Sequence, residues 1–451
     1  GDLETEFVDW NEDNEIAVSF QENNLFAVVD GETGEVLSAF SGGEVDLQDV
    51  DATEEDLIIL AEEITKRREP DTVAWIDNSR FASINEGDYE DANGEEGGSR
   101  GFTIYHQVGT VLYESFETFE HWLASAGHYN ESRSENKGCE PEGGEVGVFG
   151  GRILLFVGSE RCNVVGVYDV TDPESDPVPL QLLPAANRPE GLRAIPRRNL
   201  LVASNEEEIL DDDDLPIGVP SQLNLYRTES GPAYYPGIVS ANDSNGLPIT
   251  WVALSDLAGD RADANILYTV TDSFLAEGFI LTIDVSTTPA TIVDKLQVNA
   301  DPSGYVNGFD FEGIAVGPDG YYWVGNEGQT PGPGRRENVV LKVDPLNGDV
   351  VEEIFLPAGL TDMRRGNGIE GIAVTGAAGE EVIWVAIQRE WPNEGDTDEV
   401  NTKIGRYDTD TDEWGFVHYP LEPEGNGDWI GLSSLTELPD GTFAVIERDK
   451  G

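Results

Sequence analysis

Apolar and polar residues alternate along most of this chain at a period of two. The runs are short, rich in Val, Ile, Tyr and Trp, and separated by Gly, Asp, Asn and Pro. That period and that punctuation predict β-strands. The strands come in groups, because seven times a short signal opens one apolar run and a second signal closes the next. The openings are Glu69-Pro70-Asp71, Glu140-Pro141-Glu142-Gly143, Pro189-Glu190-Gly191, Leu254-Ser255-Asp256, Phe311-Glu312-Gly313, Ile369-Glu370-Gly371 and Ile430-Gly431-Leu432-Ser433. The closings are Asn85-Glu86, Ser159-Glu160-Arg161, Asn205-Glu206, Thr271-Asp272, Asn326-Glu327, Gln388-Arg389-Glu390 and Ile446-Glu447-Arg448.

Each unit reads strand, strand, longer loop, strand, tight turn, strand. The clearest has strands over 312–316, 321–326, 338–344 and 349–356. Four-strand units repeated at this spacing are the blades of a β-propeller. The predicted fold is therefore all-β, a single propeller domain over 1–451 with seven four-stranded blades, six or eight being the alternatives. Blades are expected over 69–115, 140–184, 190–240, 249–298, 310–356 and 369–419. The inner strands of the last blade are placed over 429–451, with strands of 24–40 supplying its outer pair. The alternative assigns residues 15–40 to a separate blade. Helical spacing of Leu57, Ile58, Leu60, Ala61 and Ile64 predicts a helix over 54–68, within a helical connection over 41–68, and a second helix covers about 116–126.

In such a blade the first strand starts on one face and the second returns to it. Openings and closings thus crowd the same mouth of the central channel. About a dozen carboxylates gathered there do not all ionise without cations. Ca²⁺, a hard cation that takes oxygen ligands, is the natural counter-charge. The candidate ligands are Glu86, Glu142, Glu190, Glu206, Asp256, Asp272, Glu312, Glu327 and Glu370. The alternative is that each acid caps its own blade by accepting from nearby backbone N–H groups. Arg161, Arg389 and Arg448 share these addresses. They are either salt-bridge partners or the groups that grip phosphate beside a metal.

Charge narrows the partners. With 89 acidic against 26 basic residues the net charge is −63, which excludes nucleic acid and anionic membrane surfaces. Most of that charge reads as adaptation to high salt, where an acidic surface stays hydrated. Cys139 and Cys162 flank an opening and a closing at one end of a strand pair, within disulfide reach. A bond there favours an oxidising, extracytoplasmic compartment; two free thiols are the alternative. No run approaches the ~18 apolar residues of a membrane span. The acidic start Gly1-Asp2-Leu3-Glu4 reads as a processed or trimmed chain. Four histidines, His106, His121, His128 and His418, form no spaced pair at repeat positions, so histidine-based zinc chemistry is not expected. Asp408, Asp410 and Asp412 fall in a turn without the rest of an EF-hand loop, and the acidic run 211–214 reads as a solvated loop.

Two sets of motifs resemble known families. Asp310-Phe311-Glu312-Gly313-Ile314-Ala315 with Trp323 and Asn326-Glu327, Ile369-Glu370-Gly371-Ile372-Ala373, and Ala444-Val445-Ile446-Glu447-Arg448-Asp449 resemble the phytase-like family described as "esterase-like activity of phytase". Glu69-Pro70-Asp71 with Asn85-Glu86-Gly87-Asp88, Lys137-Gly138-Cys139-Glu140-Pro141-Glu142-Gly143, and Val167-Tyr168-Asp169-Val170-Thr171-Asp172-Pro173 are similar to secreted choice-of-anchor, alkaline-phosphatase-like propeller proteins. The resemblance implies a secreted β-propeller acting as a calcium-dependent phosphoesterase on a small phosphoester or other anionic substrate. The competing expectations are a non-catalytic calcium-stabilised propeller with a matrix or cell-surface partner, and a calcium-dependent lactone or ester hydrolase.

Overall fold

The computed structural model describes residues 3–89, 94, 96–210, 216–299, 308–329, 337–361, 366–391, 401–422 and 430–449. The acidic run 211–214 lies outside the described residues. The chain divides into two compact units, Gly1–Trp251 and Val252–Gly451. Both are built from antiparallel meanders in which consecutive strands are neighbours, the blade unit of the β-propeller class.

In the first unit, Val8–Trp10, Glu15–Phe20, Leu25–Asp30 and Val36–Ser41 form the first meander. The second is Val73–Trp75, Arg80–Ile84, Phe102–His106 and Val111–Glu114, and the third Pro141–Phe149, Arg152–Ser159, Val164–Asp169 and Val178–Pro184. The fourth has three strands, Pro189–Ile195, Leu200–Asn205 and Gln222–Arg227. In the second unit, meanders run through Leu254–Gly259, Ile266–Thr271, Phe279–Asp284 and Ala290–Gln297. They continue through Phe311–Val316, Tyr322–Asn326, Val339–Val343 and Val350–Phe355, and through Ile369–Ala377, Glu380–Ile387, Asn401–Asp408 and Glu413–Pro420. A two-stranded sheet, Ile430–Glu437 with Phe443–Asp449, follows.

Alternation buries one set of residues between neighbouring meanders. Phe26, Phe81, Tyr105 and Trp75 make an aromatic core in the first unit. Trp323, Ile372, Ile383, Val385 and Trp391 fill the equivalent layer in the second.

Two expectations are corrected. The strands of 24–40 do not complete the C-terminal sheet, because they pair with each other and with Glu15–Phe20 in a complete N-terminal meander. A hairpin partner five residues away costs less closure entropy than a partner at the far end of the chain. No helix forms over 54–68, where Glu62–Arg67 is a strand paired with Glu44–Val50. Asp56 adopts a φ of 58°, outside the helical region, and Ile58 and Leu60 are buried by a loop instead. The helix expected near 116–126 is present as Thr118–Ser125. Cys139 and Cys162 are joined by a disulfide, with a Cα–Cα distance of 5.2 Å.

Candidate functional site

The opening acids share a backbone device. In the third meander Pro141 pairs with Ser159 and the next pair is Gly144 with Val157, so Glu142 and Gly143 form a bulge. The same slip encloses Glu190 and Gly191, Ser255 and Asp256, Glu312, Glu370 and Ser433. A bulge leaves its residues out of the ladder and re-aims their side chains. The glycine after the acid serves close packing between first strands. A Cβ on Gly143 would lie 1.8 Å from the Glu190 carbonyl oxygen, and one on Gly371 would lie 2.6 Å from the Leu435 nitrogen.

In the first unit Glu142, on its bulge, lies with Asp71, Glu86, Glu140 and Glu160. One oxygen from each of Asp71, Glu86 and Glu142 lies within 4.8 Å of the others, and the same holds for Glu86, Glu140 and Glu160. The two halves are electrostatically different. Arg161 donates to Glu140 at 2.8 Å, Arg133 also pairs with it, and Lys137 is 3.8 Å away. Burial works against ionisation of Glu140, yet these cations hold its carboxyl below the usual range. Glu160, beside it, is pushed up by burial and by Glu140. Glu142 meets no such help. Burial, then Glu86, Glu160, Asp71 and Glu190, push it up to about 9. Asp71 rises to about 7 through burial, with Glu86 adding to it. Glu86 accepts from Lys137 at 2.9 Å and from Gln21 at 2.7 Å, but burial still raises it.

The second unit has a parallel basin. One oxygen each from Asp272, Asp310 and Glu312 lies within 4.8 Å of the others. The Ser255 hydroxyl donates to Glu312 at 2.6 Å, yet burial brings that carboxyl to about 7. Glu370 is pushed to about 9 by burial, then by Glu312 and Glu327. The Gln388 amide donates to Glu370, while the Gln388 carbonyl oxygen is buried without a partner among the described residues. Asp256 reaches about 6 through burial and accepts the Ile314 N–H at 3.1 Å.

A cation fits these sets. Oxygens that lie within 4.8 Å of one another are close enough to share one cation with Ca–O bonds of ~2.4 Å. The donors are all carboxylate or amide oxygens, a hard set that suits Ca²⁺ rather than Zn²⁺. The unpartnered Gln388 oxygen, on the side chain that donates to Glu370, is a neutral donor of a type that Ca²⁺ accepts.

Of the predicted residues, the structure brings Glu86 and Glu142 together in one basin, and Asp272 and Glu312 in the other, with Glu370 beside them. Glu190 interacts with Glu206, which is half-exposed and 3.6 Å from Arg188. Glu327 accepts the Gly368 N–H at 2.7 Å, the backbone-capping role. Arg161 is engaged by Glu140 and Glu160, and Arg389 by its neighbour Glu390 at 2.8 Å. Arg448 donates to the Ser433 hydroxyl at 2.5 Å and acts on Glu312 and Glu370. Sequence reasoning missed Asp71, Glu140, Glu160 and Asp310 as members, although each belongs to or adjoins a signal. It missed Lys137 because nothing in the repeat marks it.

Residues 249–451 match the family model Phytase-like, described as esterase-like activity of phytase. Residues 86–173 match the Choice-of-anchor I domain. These are the two families that the sequence motifs resemble. No curated relative matches the chain. Solved structures similar to it include Kuenenia stuttgartiensis hydrazine synthase, at 12% identity over 99% of this chain and 97% of that one, with a TM-score of 0.28. The WD40 repeats of RRP9 are similar at 10% identity over 86% and 88%, TM-score 0.29. Streptogramin B lyase is similar at 12% identity over 98% and 90%, TM-score 0.25.

Proposed function

We propose that the protein is a secreted, Ca²⁺-binding propeller that hydrolyses phosphate esters. The observation that carries this reading is the half-buried Glu142 and the buried Glu370, whose strongest charged neighbours are other carboxylates. Such groups need a cation to ionise near neutral pH. Asp71, Glu86 and Glu142 would hold it in the first unit. Asp272, Asp310, Glu312 and Glu370, with the Gln388 carbonyl oxygen, would do so in the second. When bound, Ca²⁺ supplies charge neutralisation and polarisation of a phosphoryl oxygen.

The second basin is the better candidate for chemistry. Arg448 is the cation acting on Glu312 and Glu370, and its guanidinium is suited to bidentate contact with phosphoryl oxygens. Arg161 is a weaker candidate for that role, since two carboxylates already engage it. Water would attack phosphorus, the ester oxygen would leave as an alcohol, and inorganic phosphate would be released. The disulfide and the acidic surface support secretion.

Release of p-nitrophenol from p-nitrophenyl phosphate in Ca²⁺, abolished by EGTA, is the expected result. A Ca²⁺-dependent rise in Tm without turnover of any phosphoester would sink the catalytic reading and leave a calcium-stabilised adhesion or surface-assembly propeller. Turnover of lactones alone would point to the ester-hydrolase alternative.

A further inference from the structure

The first unit contains a second feature that uses none of the basin carboxylates. A cavity of about 970 Å³ opens among the first strands of four meanders: Val8–Trp10, Val73–Trp75, Pro141–Phe149 and Pro189–Ile195. Its volume is at the upper end for small-ligand sites. On Pro141–Phe149, Glu145 lies three residues beyond Glu142, about 10 Å along the strand.

The lining is mixed in a specific way. Trp10 is 68% exposed, and Phe7, Val8 and Val148 beside the cavity are also exposed. So many large apolar side chains left in water around one concavity mark a binding surface. Between them sit four carboxyls, Asp9, Glu12, Asp77 and Glu145, and the Arg193 guanidinium, and Asp77 is already paired with Arg80 at 2.7 Å. Asp9 accepts the Trp75 N–H at 2.8 Å, and the Trp75 indole N–H donates to the Asp9 carbonyl oxygen at 3.1 Å. Glu145 accepts from Arg193 at 3.3 Å, and the Arg193 side chain is otherwise 76% exposed.

These features narrow the ligand class. An anion would face the carboxyls of Asp9, Glu12, Asp77 and Glu145 with Arg193 as the one cation among the described lining residues. A purely apolar ligand would strand Asp9, Glu145 and Arg193 out of water. A bare metal ion is not accommodated, because Asp9 and Glu145 belong to none of the convergent carboxylate groups among the described residues. An organic cation would have to sit beside Arg193. A neutral polyhydroxylated ring meets every condition: its C–H face lies on an aromatic plane, and its hydroxyls both donate to carboxylates and accept from a guanidinium. We propose that this cavity binds a neutral oligosaccharide, stacked on the Trp10 indole and hydrogen-bonded through its hydroxyls to Asp9, Glu145 and Arg193.

The test is titration of the whole chain, by calorimetry and intrinsic tryptophan fluorescence, with cellotetraose, xylotetraose, laminaritetraose, maltotetraose and chitotetraose. Saturable binding of at least one is expected. Truncation of a central aromatic anchor weakens binding by about 30-fold, so Trp10→Ala should do this without lowering Tm. Arg193→Ala and Glu145→Gln should weaken it too, and they carry the test if Trp10→Ala fails to fold. Absence of saturable binding to all five sugars overturns the proposal. So does binding that is indifferent to all three substitutions, or binding of spermidine or choline while the sugars are silent.

Discussion

The two units place carboxylates at the same bulged address but neutralise them differently. In Gly1–Trp251, Arg133, Lys137 and Arg161 converge on Glu140, so that half of the basin is compensated by the chain itself. Two residues further on, the strongest charged neighbours of Glu142 are other acids. Among the described residues of Val252–Gly451, the acids Glu312 and Glu370 instead meet a serine hydroxyl, a glutamine amide and the charge of Arg448. The comparison separates two uses of a buried acid. One is a structural ion pair, complete as it stands; the other is a set of ligands awaiting a cation.

The largest expected effect tests which basin is reactive. Substitution of Glu370 or Glu312 by Gln should reduce phosphoesterase turnover more than the 10–100-fold typical of losing an outer-shell partner, that is by about 100-fold or more. Glu142→Gln should leave turnover within about threefold while lowering Ca²⁺ stoichiometry, a difference of no more than about 0.7 kcal/mol in barrier. Equal loss from both would show that the two basins do not differ in reactivity, and the comparison would break.

The next effect concerns folding. Glu140→Gln removes the partner of three buried or half-buried cations and should destabilise the protein by about 3–5 kcal/mol in urea unfolding. Glu142→Gln, measured in EGTA, should be neutral or stabilising, because it removes a carboxyl that burial already disfavours. If both substitutions cost the same, the proposed difference between paired and unpaired acids is wrong. Reduction of the Cys139–Cys162 bond, which spans 23 residues in the same unit, should cost roughly 3 kcal/mol.

How much of this was readable beforehand follows from the kind of signal each feature leaves. Strand alternation and repeated end signals are local patterns, so the meanders and the shared address of Glu142, Glu312 and Glu370 were legible. The bulge itself was not, since a one-residue slip in register leaves only a glycine beside an acid. Nor was the pairing of Glu140 with Arg133, Lys137 and Arg161, because ion pairing is decided by side-chain approach and not by spacing. The strand Glu62–Arg67 was misread as helix because Leu57, Ile58, Leu60 and Ile64 fit a helical face. The positive φ at Asp56 that breaks such a helix has no reliable mark in sequence. The N-terminal meander was misassigned for a different reason. Its outer strands resemble those of any blade, so only the pairing of Leu25–Asp30 with Glu15–Phe20 decides the matter.

The pH dependence of calcium binding sharpens the comparison next. Ligand carboxyls must lose their protons before they coordinate. Glu142 and Glu370 are held to about 9, and Asp71 and Glu312 to about 7. The rise in Tm on adding Ca²⁺ should therefore be small at pH 6 and larger at pH 8.5. A calcium effect that is flat over that range would argue against these residues as ligands.

The smallest effect is internal to the first unit and needs no metal. Asp51 is fully buried, with one carboxylate oxygen unpartnered and the other accepting the Ile59 N–H at 3.2 Å. Burial raises it from 3.8 to about 7, with Glu55 adding to the shift. Its folded-state value lies above its unfolded one, so the folded chain binds the proton more tightly. The contribution to stability is full below about pH 4 and is lost as pH rises through 7. Asp51→Asn keeps the shape and removes the charge, so the Tm of this variant should fall less between pH 5 and pH 8 than that of the parent, both measured in EGTA. A parent and variant with parallel pH profiles would show that Asp51 ionises without cost. Arg100, which donates to the Asp51 carbonyl oxygen at 2.6 Å, would then be compensating it as Arg161 compensates Glu140.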